Sequence, residues 1–195
     1  KVDIVFFKAG AEGINGKYLD GTVYLAVDAS PSKYNSVEGY VMMTAAHELT
    51  HYIREASPAR YAELKDFVIK NLIEKGKMEG KTLKELILAK QNAYANAGVD
   101  LSMESVIEEV VADACEMMLK DNMLVAQLKG ENITLHGMMS KWLKKFINNV
   151  KAAFKTAGQG SDLTAYHAEA KAMDDVFEEL QRIWNLGLTE ATQIE

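Results

Sequence analysis

The sequence is short of residues that staple or interrupt a chain. Its 195 residues include one cysteine, Cys115, which excludes a disulfide scaffold and cannot build a thiolate zinc site. Only two prolines occur, Pro31 and Pro58, so long stretches are free to be helical. No run of about 18 apolar residues is present, and that excludes a transmembrane helix. Basic residues are the minority, 22 against 28 acidic, for a formal net charge of −6. This argues against nucleic acid as the main partner. An unpaired cysteine and no visible export signal lead to the expectation of a cytoplasmic setting. The chain begins at Lys1 and enters at once the apolar stretch Val2 to Phe7. That start is expected of a piece cut from a longer precursor or of an artificial boundary, so the other domains of such a precursor are expected partners.

What is present is an ordinary globular balance, 48% hydrophobic and 26% charged. The length suits a single domain over residues 1–195 with a core of its own. Five of the 13 glycines fall in the first 40 residues, between two runs that read as strands, 2–7 and 22–28. In the second run Val23, Leu25 and Val27 alternate with polar or small residues, the pattern of a strand with one buried face. From residue 36 onward the pattern is helical. Ser57-Pro58 ends one helix near Ala56 and opens another over 58–75. Thr82 and Glu85 form a capping box that opens a helix over 82–96. Further helices are expected at 102–120, at 138–156 with Met139, Leu143, Phe146, Ile147, Val150 and Phe154 on one stripe, and at 162–186. The expected fold class is α+β, mostly α: a small N-terminal sheet packed on the first helix and a helical body.

One motif stands above the rest, His47-Glu48-Leu49-Thr50-His51. Residues four apart on a helix differ by about 40° in azimuth and about 6 Å in height, so two imidazoles so placed can share one metal ion. The pattern H-E-x-x-H is a zinc-peptidase signature with the glutamate as general base. On a wheel of residues 38–55, Met42, Ala45, Ala46, Leu49, Tyr52 and Ile53 gather on one side. His47 and His51 point the other way, with Tyr40, Met43 and Arg54. This face reads either as two solvated histidines on an amphipathic helix or as the front of a cleft. A catalytic zinc site needs a third protein ligand. Arg54 and Ser57 stand where the longer H-E-x-x-H-x-x-G-x-x-H pattern needs glycine and histidine, which excludes that arrangement.

The segment Glu108-Glu109-Val110-Val111-Ala112-Asp113 resembles the E-x-x-x-D helix of the gluzincin peptidases. More narrowly, residues 40–120 resemble zincin-like metallopeptidase modules of large multidomain proteins on bacterial mobile elements. The resemblance implies a zincin-like fold, Zn²⁺ as cofactor, Glu109 as the third ligand beside His47 and His51, and Asp113 as the acid that orients a ligand histidine. It also implies that the strand at 22–28 is an edge along which an extended peptide pairs. The spacer of 57 residues between His51 and Glu109 is filled by the two helices expected at 58–75 and 82–96. On the 102–120 wheel, Met103, Ile107, Val110, Val111, Ala114 and Met118 form the apolar stripe. Glu109, Asp113 and Glu116 lie opposite it, where a solvated acidic face would also lie. Glu108 shares its side with Ala112 and Cys115, whereas Glu109 shares its side with Asp113, which favours Glu109 as the ligand.

The activity expected is zinc-dependent hydrolysis of a peptide bond in a peptide or protein substrate, with Glu48 as the base. Zinc affinity is expected to fall below about pH 6, because both histidines must be neutral to ligate. Two other classes stand beside it: a metal-binding recognition module without turnover, and a helical interaction module in which the motif is incidental. His136, Tyr166 and His167 are candidate oxyanion donors or plain packing residues. Lys141, Lys144, Lys145, Lys151 and Lys155 form a basic face that suits phosphate or simple solvation.

Overall fold

In the computed structural model, residues 3–7, 16–19, 22–26, 37–157 and 177–185 are described. Helix α1 is Val37–Ala56 and α2 is Pro58–Val68. A π-helical turn, Ile69–Ile73, continues α2. Then come α3 (Leu83–Asn96), α4 (Met103–Leu119), α5 (Asn122–Glu131) and α6 (Ile133–Ala157). Residues 177–184 are helical again; the rest of the helix expected over 162–186 lies outside the described residues.

The boundaries follow local chemistry. Pro58 at the first turn of α2 has no N–H to leave unpaired and a φ already suited to a helix. The Ser57 side chain makes no capping bond, so proline alone starts that helix. The Thr82 capping box forms as the sequence predicts: Thr82 N donates to Glu85 Oε2 at 2.7 Å and Glu85 N donates to Thr82 Oγ1 at 3.3 Å. Ser102 Oγ accepts from Ser105 N at 3.1 Å to open α4. α5 is a separate helix that the apolar periodicity does not mark. Its signal is Asp121, whose Oδ1 accepts from Met123 N and Leu124 N at 3.0 Å each.

The expectation of an α+β fold is corrected: the body that the described residues build is all-α. Leu49 and Ile53 of α1, Leu64 and Val68 of α2, Val111 and Met118 of α4, Leu128 of α5, and Leu143, Phe146 and Ile147 of α6 meet in one buried cluster. Phe177 and Trp184 close it, with Trp184 Nε1 donating to Leu119 O at 2.9 Å. Every member of this cluster lies on a helix. Backbone ladders do run over Asp3–Phe7 (β1), Gly16–Leu19 (β2) and Thr22–Ala26 (β3), 14 residues beside a body in which 37–157 is helical apart from short turns. Period-two alternation over five residues signals an extended backbone. It does not signal a layer of the fold.

The edge role expected of residues 22–28 is corrected as well. The strand order is β1-β3-β2, with β1 parallel and β2 antiparallel to β3. Residues Thr22 to Leu25 are therefore paired on both sides, and β3 has no free edge to offer there. Among the described residues no helix is long and apolar enough to cross a membrane.

Candidate metal centre

The amphipathic pattern of α1 fixes which way its histidines face. Ala45, Ala46, Leu49 and Ile53 are buried at 0–1% exposure, and Thr50, also buried, donates its hydroxyl to Ala46 O at 3.2 Å. That back packs against α4, whose Val111, Ala114, Cys115 and Met118 lie in the same cluster. His47 and His51 project from the front of α1 and meet the acidic side of α4. They are largely covered: their side chains keep 18% and 21% exposure, and Glu109 keeps 15%.

His47 Nε2 lies 3.2 Å from Glu109 Oε2, and His51 Nε2 lies 3.4 Å from Glu109 Oε1. The two rings stand edge-on, with centroids 5.0 Å apart and planes at 67°. His47, His51 and Glu109 thus offer three ligand atoms within 4.8 Å of one another, and this group could hold a metal ion. Two imidazoles and one carboxylate are a donor set that suits zinc with a position left for water. His47, Asp113 and Glu116 meet the same geometric criterion. That second group has only one histidine, and Lys90 Nζ already holds Asp113 Oδ2 at 2.6 Å.

Each histidine also has an acid behind it. His47 Nδ1 lies 3.5 Å from Asp113 Oδ1 and 3.5 Å from Glu116 Oε1. His51 Nδ1 lies 2.7 Å from Glu108 Oε1, and a carboxylate at that distance accepts the Nδ1 hydrogen. Glu108 is buried, and its other oxygen accepts from Arg54, which also donates to Glu104 Oε1 at 3.0 Å. From α3, the Tyr94 hydroxyl donates to Glu109 Oε2 at 2.7 Å.

These contacts set the protonation of the metal-free site. Burial works against a charged His47, but hydrogen bonds to Asp113, Glu109 and Glu116 outweigh it and raise the imidazole to about 11. Burial likewise opposes the Glu109 anion. The hydrogen bond and charge of His47, with the Tyr94 hydroxyl, outweigh it and hold Glu109 at about 2. Asp113 is lowered from its usual value because His47 and Lys90 together exceed its burial penalty. Burial and the carboxylates around it push the Tyr94 phenol up, with Glu48 among them.

The structure therefore brings together His47, His51, Glu109 and Asp113, and it buries Glu48 beside them in the sequence, at 6% exposure. It does not bring in His136, which stacks on Trp184 with centroids 5.1 Å apart. Tyr166 and His167 lie outside the described residues. Sequence reasoning missed Glu108, Lys90 and Tyr94 as parts of the site. The signal for the last two was present: they are four apart, on one face of the capped helix over 82–96. The helical wheels put Arg54 with the histidines and Glu116 with Glu109, without assigning either a role.

No family model, no curated protein and no solved structure matches the chain.

Proposed function

We propose that the chain is a zinc-dependent metallopeptidase of the gluzincin type, acting on a peptide or protein substrate. The observation that carries this reading is the pair of Nε2 atoms of the His-Glu-x-x-His helix turned onto the two oxygens of one carboxylate, Glu109. His47, His51 and Glu109 would hold the ion. When bound, zinc supplies Lewis acidity, which lowers the pKa of water towards about 7 and polarises a carbonyl.

The protein's own groups do the rest. Glu48 takes a proton from the attacking water on a carboxylate oxygen and passes it to the nitrogen of the leaving amine. Asp113 and Glu108 hold hydrogen on Nδ1 of His47 and His51, which leaves the Nε2 lone pairs for the ion. The burial of Glu48 and Glu108 strengthens the contacts each makes.

Elemental analysis is the first test. About one zinc per chain is expected, and well under about 0.2 per chain after reconstitution near pH 7.5 overturns the site. Glu48→Gln should then keep the metal and the fold but lose cleavage of a peptide library, since an amide accepts no proton from water at neutral pH. Unchanged cleavage removes Glu48 as the base. A wild-type chain that holds zinc but cleaves nothing overturns the peptidase reading and leaves the metal site standing.

A further inference from the structure

Among α1 to α6, only α3 contributes no buried residue. A cavity of about 450 Å³, lined in part by Leu86, Ala89 and Ala93 of α3 and by Val110 and Met117 of α4, lies between the two helices. No side chain of α3 is fully buried, so apolar burial anchors it weakly; Leu83, Leu86 and Ile87 are half-buried. Two polar contacts to α4 lie one turn apart: Lys90 Nζ to Asp113 Oδ2 at 2.6 Å and Tyr94 Oη to Glu109 Oε2 at 2.7 Å. Both acceptors are carboxylates that touch His47.

We propose that Lys90 and Tyr94 are positioning residues of the metal centre, which latch α3 onto the carboxylates of α4 and couple the docking of that helix to metal binding. This rests on reading His47, His51 and Glu109 as a metal site. Tyr94 takes a lone pair of Glu109 Oε2 and so fixes the rotation of the carboxylate, with Oε1 turned to His51. Lys90 holds Asp113 by Oδ2 and leaves Oδ1 facing His47 Nδ1. A ligand whose orientation is held in advance loses less freedom when the metal arrives. By linkage, whatever the metal gains from a latched α3 returns as tighter docking of α3 when metal is bound. The turns on either side suit a helix held at its middle. Gly76, Glu79 and Gly80 before it, and Gly98 after it, all have positive φ, between 54° and 76°.

The test uses Tyr94→Phe and Lys90→Met, with Lys84→Met, exposed on the same helix, as control. Three readouts are needed: zinc affinity against a competing chelator, the visible spectrum of the cobalt-loaded protein, and amide hydrogen exchange along the chain with and without zinc. Each latch variant should lose about tenfold or more in zinc affinity. Tyr94→Phe should also change the cobalt spectrum, which a purely structural role would not move. In wild type, zinc should slow exchange over α3. In the metal-free variants, α3 should exchange faster while α1 and α4 keep their protection, and Lys84→Met should behave as wild type. Zinc affinities within about twofold of wild type for both variants overturn the positioning role. Metal-free α3 exchange equal to wild type overturns the latch, whether or not zinc binds. A wild-type chain that takes up no zinc overturns the metal-site reading and the coupling with it, an outcome read separately from the exchange of α3.

Discussion

His51 and Glu108 are bound through Nδ1 and Oε1 at 2.7 Å, while the next residue, Glu109, faces Nε2 of the same ring at 3.4 Å. Consecutive residues on a helix point about 100° apart, so one turn of α4 addresses both nitrogens of one imidazole. The adjacent glutamates have different work. Glu109 belongs to the group that could hold a metal ion, and Glu108 is the buried acceptor that holds the ring, itself held by Arg54.

This division orders a set of variants. Glu109→Ala should cost the most zinc affinity, because it deletes a ligand. Glu108→Ala and Asp113→Ala should each cost about 10–100-fold, because each removes an acceptor behind one histidine. The helical wheel alone gives Glu108 no partner; its contact with His51 puts it level with Asp113. Titration against a competing chelator ranks them, and a larger loss at Glu108 than at Glu109 shifts the ligand register by one residue.

Zinc uptake should release a proton. With His47 raised to about 11, the metal-free imidazole is charged at neutral pH and cannot ligate until that proton leaves. Affinity should therefore climb about tenfold per pH unit between about pH 7 and pH 9, well above the range an ordinary histidine implies. Calorimetry in buffers of different ionisation heat should count about one proton released per zinc. Affinity that is flat over that range excludes a charged His47 as the resting state.

The metal-free protein should have a stability plateau set by the same pair. His47 is raised from 6.5 to about 11, so its contribution is fully present below pH 6.5 and is lost as pH rises towards 11. Glu109 is lowered from 4.5 to about 2, so its contribution is fully present above pH 4.5 and is lost as pH falls towards 2. Thermal midpoints in chelator should be highest between these limits, and His47→Asn should flatten the alkaline side. An alkaline decline that survives His47→Asn unchanged assigns it to other groups.

Leu49 sits between the two histidines in sequence and on the opposite face of α1, at 1% exposure within the shared core. Leu49→Ala should destabilise the chain by about 2–5 kcal/mol in denaturant unfolding, through lost burial and the cavity left behind. A loss below about 1 kcal/mol means that α1 is not anchored by this face.

Local chemistry alone determined most of the helical layout. Pro58, the Thr82–Glu85 box and the stripe Met139, Leu143, Phe146 and Ile147 each depend on neighbours within a few residues, and each stands where the periodicity puts it. The His47–His51 pair is legible for the same reason, since a spacing of four on a helix is a local fact. So is the inward turn of Leu49 that sends both histidines to the other side.

Contacts between distant residues are not written in any local pattern, and those the tertiary structure decided. Whether the acidic side of α4 is solvated or buried depends on what packs over it, and α1 and α3 pack over it. Glu108 looked idle because its own helix offers no partner; its partners, His51 and Arg54, lie 57 and 54 residues away. Lys90 and Tyr94 joined the site for the same reason. The strands failed as a guide to fold class because alternation reports backbone extension, whereas the class depends on which elements share the core. Among the residues whose burial is described, helices share it.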